Sequence, residues 1–284
     1  MKITVKANAK INIFLDILGK LDNGYHSLFM VMQSVNLYDE VTVEKADKGI
    51  TLTCSEEAIP CNEKNTAYKA AKVFFEKACI DSGVKIHIEK RIPHEAGLAG
   101  GSADAAAAFV AMNKIFETDY KTYELCEMGL KVGSDVPFCI VGGTCLAQNT
   151  GGVLSPLHPL KDCTIVLAKP SQGVSTAKAY ADADNTFLYH PDCMKMLDAC
   201  EKGDFEAMCK YAGNVFEQVV EVPERVEIKR IMRENNSSIA QMSGSGPTVF
   251  GIFKNEEDAE TAAEKIKKVC KQVFVAKPSE YGVR

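Results

Sequence analysis

Apolar residues first recur at every second position: Ile3, Val5 and Ala7, then Ile11, Ile13, Leu15 and Ile17. A period of two lines one face of an extended chain, so this stretch predicts strands, or a bent pair hinged around Asn8. Val41 and Val43, Ile50 and Leu52, and Val84, Ile86 and Ile88 predict three more. Over 65–78 the spacing becomes helical, with Asn65 or Thr66 placed to cap the first turn. Two further helices follow at 102–116, with a small face of Ala103, Ala106, Ala107 and Val110, and at 122–132.

The glycine pairs Gly142-Gly143 and Gly151-Gly152 punctuate the middle, and a domain boundary is expected near 155. Beyond it a strand at 164–168 runs to Pro170. Helices are expected at about 175–182, 191–202, 204–220 and 224–236. Two strands, 238–242 and 248–253, flank Ser243-Gly244-Ser245-Gly246-Pro247. A helix at 256–271 and a strand at 272–276 follow. Runs of strands and runs of helices in this order indicate an α+β fold rather than a doubly wound parallel sheet.

The 284 residues suffice for one large domain or two ordinary ones, and 46% hydrophobic with 25% charged residues is a soluble globular balance. No apolar run has the length of a membrane span, and the first residues lack a leader's apolar stretch, so a cytoplasmic protein is expected. A net charge of −5 speaks against a nucleic-acid partner. Eleven cysteines with no C-x-x-C pair read as reduced thiols, and neither they nor the five dispersed histidines group as metal ligands. No protein metal site is assigned.

The densest chemical signal is Pro93-His94-Glu95-Ala96-Gly97-Leu98-Ala99-Gly100-Gly101-Ser102-Ala103-Asp104, which opens into Ala105 to Ala108. Glycines let backbone N–H groups approach a ligand closely, and a helix start adds unpaired N–H groups and the positive dipole end. Together they make a phosphate cradle. The run contains neither G-x-x-x-x-G-K-[ST] nor G-x-G-x-x-G, so it is neither a Walker loop nor a dinucleotide fingerprint. Taken alone, it is also compatible with a tight strand-to-helix turn. Asp135 has two readings as well. Ser134-Asp135 before Val136-Pro137 is a helix N-cap signal, and the same position keeps a carboxylate ionised.

The run from Pro93 to Asp104 resembles the ATP loop of the GHMP kinases. Ala99 stands where many members carry glycine, which makes a positive φ at that position doubtful. Ala9-Lys10-Ile11-Asn12, Gly24-Tyr25-His26, Gly133-Ser134-Asp135-Val136-Pro137-Phe138 and Gly142-Gly143-Thr144 resemble the branch of that family that phosphorylates 4-diphosphocytidyl-2-C-methyl-D-erythritol. Ser243 to Thr248 fits the family's third glycine motif.

The resemblance implies an ATP-binding domain over 1–155, similar to a ribosomal-protein domain, and a ferredoxin-like substrate domain over 156–284. It implies ATP with Mg²⁺, a cytidine-diphosphate-linked small-molecule acceptor, and a monomer or weak homodimer. Lys10 and Asp135 become the catalytic pair. Asn65 and the residues from Pro93 to Ala103 are expected at ATP. Asn12, Tyr25 and His26 are expected at the acceptor, Tyr25 as a flat platform for cytosine and Tyr180 as the opposing wall. A homoserine or mevalonate kinase on this fold, a silent ligand sensor, and a structural or RNA-associated domain are the alternatives.

Overall fold

The computed structural model describes residues 1–284. The first half contains β1 (Lys2–Lys20), β2 (His26–Ala46), β3 (Gly49–Cys54), α1 (Thr66–Ala78), β4 (Gly83–Glu89), α2 (Gly100–Ile115), α3 (Thr122–Leu130), α4 (Val136–Val141), β5 (Thr144–Asn149) and β6 (Val153–Pro156). The second half contains β7 (Thr164–Lys169), α5 (Thr176–Asp184), α6 (Cys193–Lys202), α7 (Phe205–Tyr211), β8 (Gly213–Asn214), α8 (Arg225–Glu234), β9 (Ile239–Met242), β10 (Val249–Phe253), α9 (Glu256–Ile266) and β11 (Gln272–Ala276). No helix is long and apolar enough to cross a membrane.

Two sheets organise the chain. The larger runs β3-β4-β2-β1-β8, with β5 paired to the other end of β2 and β6 to β5. The smaller is antiparallel in the order β11-β7-β10-β9. The mixture of hairpin strands with helices packed against them is the expected α+β architecture.

The alternating opening segment is one strand, and its irregularities matter. Its ladder with β2 shifts register at Asn8/Ala9 and again at Asn12/Phe14. The second shift leaves Ile13 as an extra residue, which flips the side chains from Phe14 to Ile17 to the opposite face, up to a third shift at Ile17/Gly19. Ile11, Ile13 and Phe14 therefore join the main core, whereas Leu15 and Ile17 join a separate cluster with Phe138, Phe216 and Met242. The period of two suggested one continuous face; the bulge divides it.

Three other expectations are corrected. β2 extends over 21 residues, far beyond Val41 and Val43. Its first half, Leu28 to Val35, is buried on both faces and so carries no polar alternation. The hairpin β5–β6 falls where only glycine punctuation was visible. The helix expected over 204–220 ends at Tyr211. Gly213–Asn214 instead pairs parallel with Phe14–Leu15 of β1, and a 3₁₀ turn covers Val215–Gln218. Asn214 accounts for the break. Its carbonyl oxygen caps the Phe216 N–H at 3.0 Å, and its amide donates to the carbonyls of Met242 and Gly244, each at 2.8 Å.

Candidate active site

A cleft of about 840 Å³ lies between the glycine loop, the face of β1 that carries Lys10 and Asn12, and the start of α5. Lys10, Asn12, Tyr25, His26, Asn65, Asp135 and Tyr180 line it, as do Pro93 to Gly97 and Ala99 to Ser102. Leu98 and Ala103 do not. Leu98 is 1% and Ala103 0% exposed, so both support the loop from the core side. What Leu98 contributes is its carbonyl, which accepts the Lys10 N–H at 3.1 Å and ties the loop to β1.

The loop's local chemistry follows from its residues. Gly97 has φ +72, and a Cβ there would stand 2.2 Å from the Ser243 carbonyl oxygen. Only glycine lets the two glycine motifs approach this closely. Ala99 does adopt a left-handed φ of 58, contrary to the expectation from its side chain, and serves as the N-cap of α2 without a side-chain bond. Such a conformation costs an L-residue about 1–2 kcal/mol. The surroundings hold it: the Ala103 N–H bonds to the Ala99 carbonyl at 2.9 Å. Asn65 is the N-cap of α1, accepting from the Ala67 N–H at 2.8 Å and donating to the Pro60 carbonyl at 2.9 Å. Its cap role occupies the side chain, although its outer surface still meets the cleft.

Lys10 is 4% exposed. Its Nζ donates to Asn12 Oδ1 at 2.6 Å and stands 3.6 Å from Asp135 Oδ2. Asp135 occupies the N-cap position of α4 with Pro137 in the first turn, yet its side chain makes no capping hydrogen bond. The carboxylate is thus left facing Lys10 and the cleft, about one-third exposed. Of the two readings of Asp135, the helix start supplies the placement but the side chain does no capping.

At the aromatic end, Tyr25 is 61% exposed. Tyr180 lies flat on His26, with ring centroids 4.6 Å apart and 18° between planes, and meets the edge of Phe216 at 5.0 Å. His26 Nε2 contacts Asp184 Oδ1 at 2.6 Å, and Lys20 Nζ donates to the other Asp184 oxygen at 2.6 Å. Burial, reinforced by the Asp135 carboxylate, raises the Tyr180 hydroxyl pKa, so it stays protonated.

Several residues in and beneath the cleft had no role in the sequence reading. Lys90 Nζ reaches Asp39 at 2.5 Å and Asp104 at 2.8 Å, all three buried beneath the loop. Asp39 also accepts the Arg91 and Ile92 N–H groups at 2.6 and 2.8 Å, while Asp104 Oδ1 has no partner. Burial raises the Asp104 carboxyl to about 7 against the pull of Lys90. Burial opposes the charge of Lys90 as well, but its two carboxylates outweigh that and the net shift is upward. The lysine stays charged, and Asp104 is the group whose carboxyl is pushed towards its protonated form. Ser243, fully buried, accepts the Asn12 N–H at 3.3 Å and donates to the Gly97 carbonyl at 3.0 Å, joining β1, the glycine loop and the third motif. Asp104 and Ser243 stood inside the quoted motifs; Asp39 and Asp184 had no local signal.

The Mg²⁺ implied alongside ATP needs few protein ligands, because phosphate oxygens and waters complete its shell. No group of three or more His, Cys, Asp or Glu is arranged to hold a metal. Ser102, on the cleft wall in the first turn of α2, is a hard oxygen donor beside the phosphate cradle and fits this requirement.

Comparison with known proteins identifies the family. Residues 65–143 match the model of the GHMP kinases N terminal domain, and residues 196–272 that of the GHMP kinases C terminal domain. The 4-diphosphocytidyl-2-C-methyl-D-erythritol kinase of Clostridium acetobutylicum is 45% identical over 278 residues, covering 97% of this chain and 99% of its own. The enzyme of the same name from Clostridium botulinum is 44% identical over 277 residues, covering 96% and 99%. A crystal structure of a 4-(cytidine 5'-diphospho)-2C-methyl-D-erythritol kinase superposes with a TM-score of 0.80 at 28% identity over 98% of this chain and 99% of that one. Homoserine kinase from Cytophaga hutchinsonii gives a TM-score of 0.81 at 19% identity over 100% and 96%, a likeness of fold alone. By motif, fold and ancestry, the chain belongs to the GHMP kinase family.

Proposed function

We propose that the chain transfers the γ-phosphoryl group of ATP to the 2-hydroxyl of 4-diphosphocytidyl-2-C-methyl-D-erythritol, a step of non-mevalonate isoprenoid synthesis. The observation that carries the mechanism is the Lys10–Asp135 pair at 3.6 Å, opening onto the same cleft as the glycine loop. The relatives at 41–45% identity that carry this activity in their names supply the acceptor.

Phosphoryl transfer leaves the protein mainly positioning and electrostatics to provide. N–H groups at the start of α2 hold the phosphates. Asp135, spared from capping, accepts the proton of the acceptor hydroxyl. Lys10, held by Asn12 Oδ1, places a fixed ammonium between that oxygen and the transferring group. Ser102 would ligate Mg²⁺ together with the phosphate oxygens, and the ion would there neutralise phosphate charge. The aromatic end formed by Tyr25, His26, Tyr180 and Phe216 receives the cytosine, and binding there rearranges the His26–Tyr180 stack or extends it. The halves divide near residue 155, the first holding ATP and the second closing over the acceptor, in a cytoplasmic enzyme that works as a monomer or weak dimer.

ADP release measured across a panel of acceptors tests the assignment. Turnover of the cytidine-diphosphate-linked substrate, with homoserine and mevalonate inert, is the expected result. Turnover of either of those without the cytidyl substrate would overturn it.

A further inference from the structure

The segment from Lys277 to Arg284, after β11, belongs to no long strand or helix, yet it is tied to the two elements that carry Lys10 and Asp135. It meets both strands beside the first register shift of the β1–β2 ladder. Asn8 pairs with Tyr38 and Ala9 with Val35, so Asn36 and Leu37 bulge out of β2. The segment bridges to Ala7 of β1 and to Val35 of β2. Lys6 and Arg284 exchange N–H to carbonyl bonds at 2.8 and 3.1 Å, and the Asn8 N–H donates to the Gly282 carbonyl at 2.8 Å. On the other strand, Asn36 N–H donates to the Lys277 carbonyl at 3.0 Å and Ser279 N–H to the Ser34 carbonyl at 2.8 Å. The Asn8 side-chain amide adds bonds to the Tyr281 carbonyl at 2.8 Å and Ser279 Oγ at 2.9 Å.

The opposite side of the same segment rests on α4. A Cβ on Gly282 would stand 1.8 Å from the Cys139 carbonyl oxygen, and a Cβ on Gly142 would stand 1.9 Å from the Gly282 nitrogen. Both obstacles are backbone, so neither can move aside as a flexible side chain would. Cys139 in turn donates its N–H to the Asp135 carbonyl at 3.0 Å. One extended segment thus grips β1 two residues before Lys10 and α4 one turn after Asp135.

We propose that residues 277–284 act as a strap that sets the separation of the Lys10 and Asp135 side chains, with Gly282 as its positioning residue. The inference rests on the reading of Lys10 and Asp135 as the catalytic pair. An added methyl at 282 lifts the strap off α4 and lets Asp135 shift relative to Lys10. It leaves the glycine loop and the aromatic end, which the strap does not touch, in place.

The test is steady-state kinetics on Gly282→Ala at a temperature well below its unfolding midpoint, with ATP affinity measured separately by equilibrium titration. A misplacement of about 1 Å at reacting groups costs up to about a hundredfold. The expected result is a kcat lowered about tenfold or more, with both KM values and the ATP Kd within about twofold of wild type. Should Gly282→Ala fail to fold, Ser279→Ala removes the hydroxyl that accepts the Asn8 amide and bonds Tyr281 within the strap, and should lower kcat in the same direction by a smaller factor. A folded Gly282→Ala or Ser279→Ala enzyme with unchanged kcat overturns the strap, as does a fall in kcat matched by equally weakened ATP binding. Asp135→Asn, assayed alongside, separates the two failures. If it retains wild-type turnover, the catalytic-pair reading is what has failed.

Discussion

Two lysine–carboxylate groups line one cleft, and they are built in opposite ways. Lys90 is clamped between Asp39 and Asp104 at 2.5 and 2.8 Å, with all three side chains at most 7% exposed. Lys10 stands 3.6 Å from Asp135, whose carboxylate is about one-third exposed and uncapped. The closed group holds its ammonium between two buried carboxyl groups, out of reach of a substrate, and fixes β2, the segment after β4, and α2 beneath the glycine loop. The open pair keeps a carboxylate with room for a hydroxyl beside it. A lysine beside a carboxylate is therefore no sign of catalysis in itself; unspent hydrogen-bonding capacity facing the cleft is what separates the pair from the bolt.

The sharpest way to break this contrast is to remove each ammonium in turn. Lys10→Met should lower kcat by about 10²–10³-fold and move the unfolding free energy by less than about 1 kcal/mol. Lys90→Met should instead destabilise the fold by about 3–5 kcal/mol, because it leaves two buried carboxyl groups without the ammonium that holds them. Urea unfolding and ADP release on both variants check this. Equal loss of stability in the two would collapse the distinction.

The proton on Asp104 gives a finer probe. Its folded pKa of about 7 lies above the ordinary carboxyl value of 3.8, so the folded state holds the proton more tightly. The sign is thus the reverse of a salt-bridged aspartate: stability from this group is full below about pH 4 and is lost as pH rises towards 7. Asp104→Asn, which cannot ionise, should remove that slope. Its unfolding free energy should gain on wild type between pH 4 and 7, measured in parallel urea titrations. The smallest expected effect is at Ala99. Ala99→Gly relieves a left-handed φ and should stabilise by less than about 1 kcal/mol, since the added freedom of the unfolded chain offsets part of the relief.

The sequence made some of this legible and hid the rest for identifiable reasons. The glycine loop and its helix are local, so Pro93 to Asp104 could be read as a glycine-rich turn into a helix, compatible with a phosphate cradle and with a plain strand-to-helix turn. Lys10 and Asp135 were nameable only through resemblance, because 125 positions of chain separate two residues that the fold places side by side. The polarity of Asn8, Lys10 and Asn12 was visible, but the Ile13 bulge that turns Leu15 toward the cleft leaves no mark in a pattern of alternating apolar residues. The end of α7 and the pairing of Asn214 with β1 were missed because their causes, the Met242 and Gly244 carbonyls, lie about thirty residues away. Tyr25 and Tyr180 were expected to face each other; the ring stacked on Tyr180 is that of His26. Ala99 shows the limit of propensity: its surroundings impose a conformation that alanine disfavours.

The central claim is that Asp135 takes the acceptor's proton while Lys10 stabilises the charge. Asp135→Asn keeps the shape and the helix start and removes only the basic oxygen. Rapid-quench single-turnover assays with ATP and the cytidyl acceptor should show phosphoryl transfer slowed by about 10²–10⁴-fold, with acceptor affinity held within a few-fold. Transfer at the wild-type rate would contradict the account and leave Asp135 as no more than the first residue of α4.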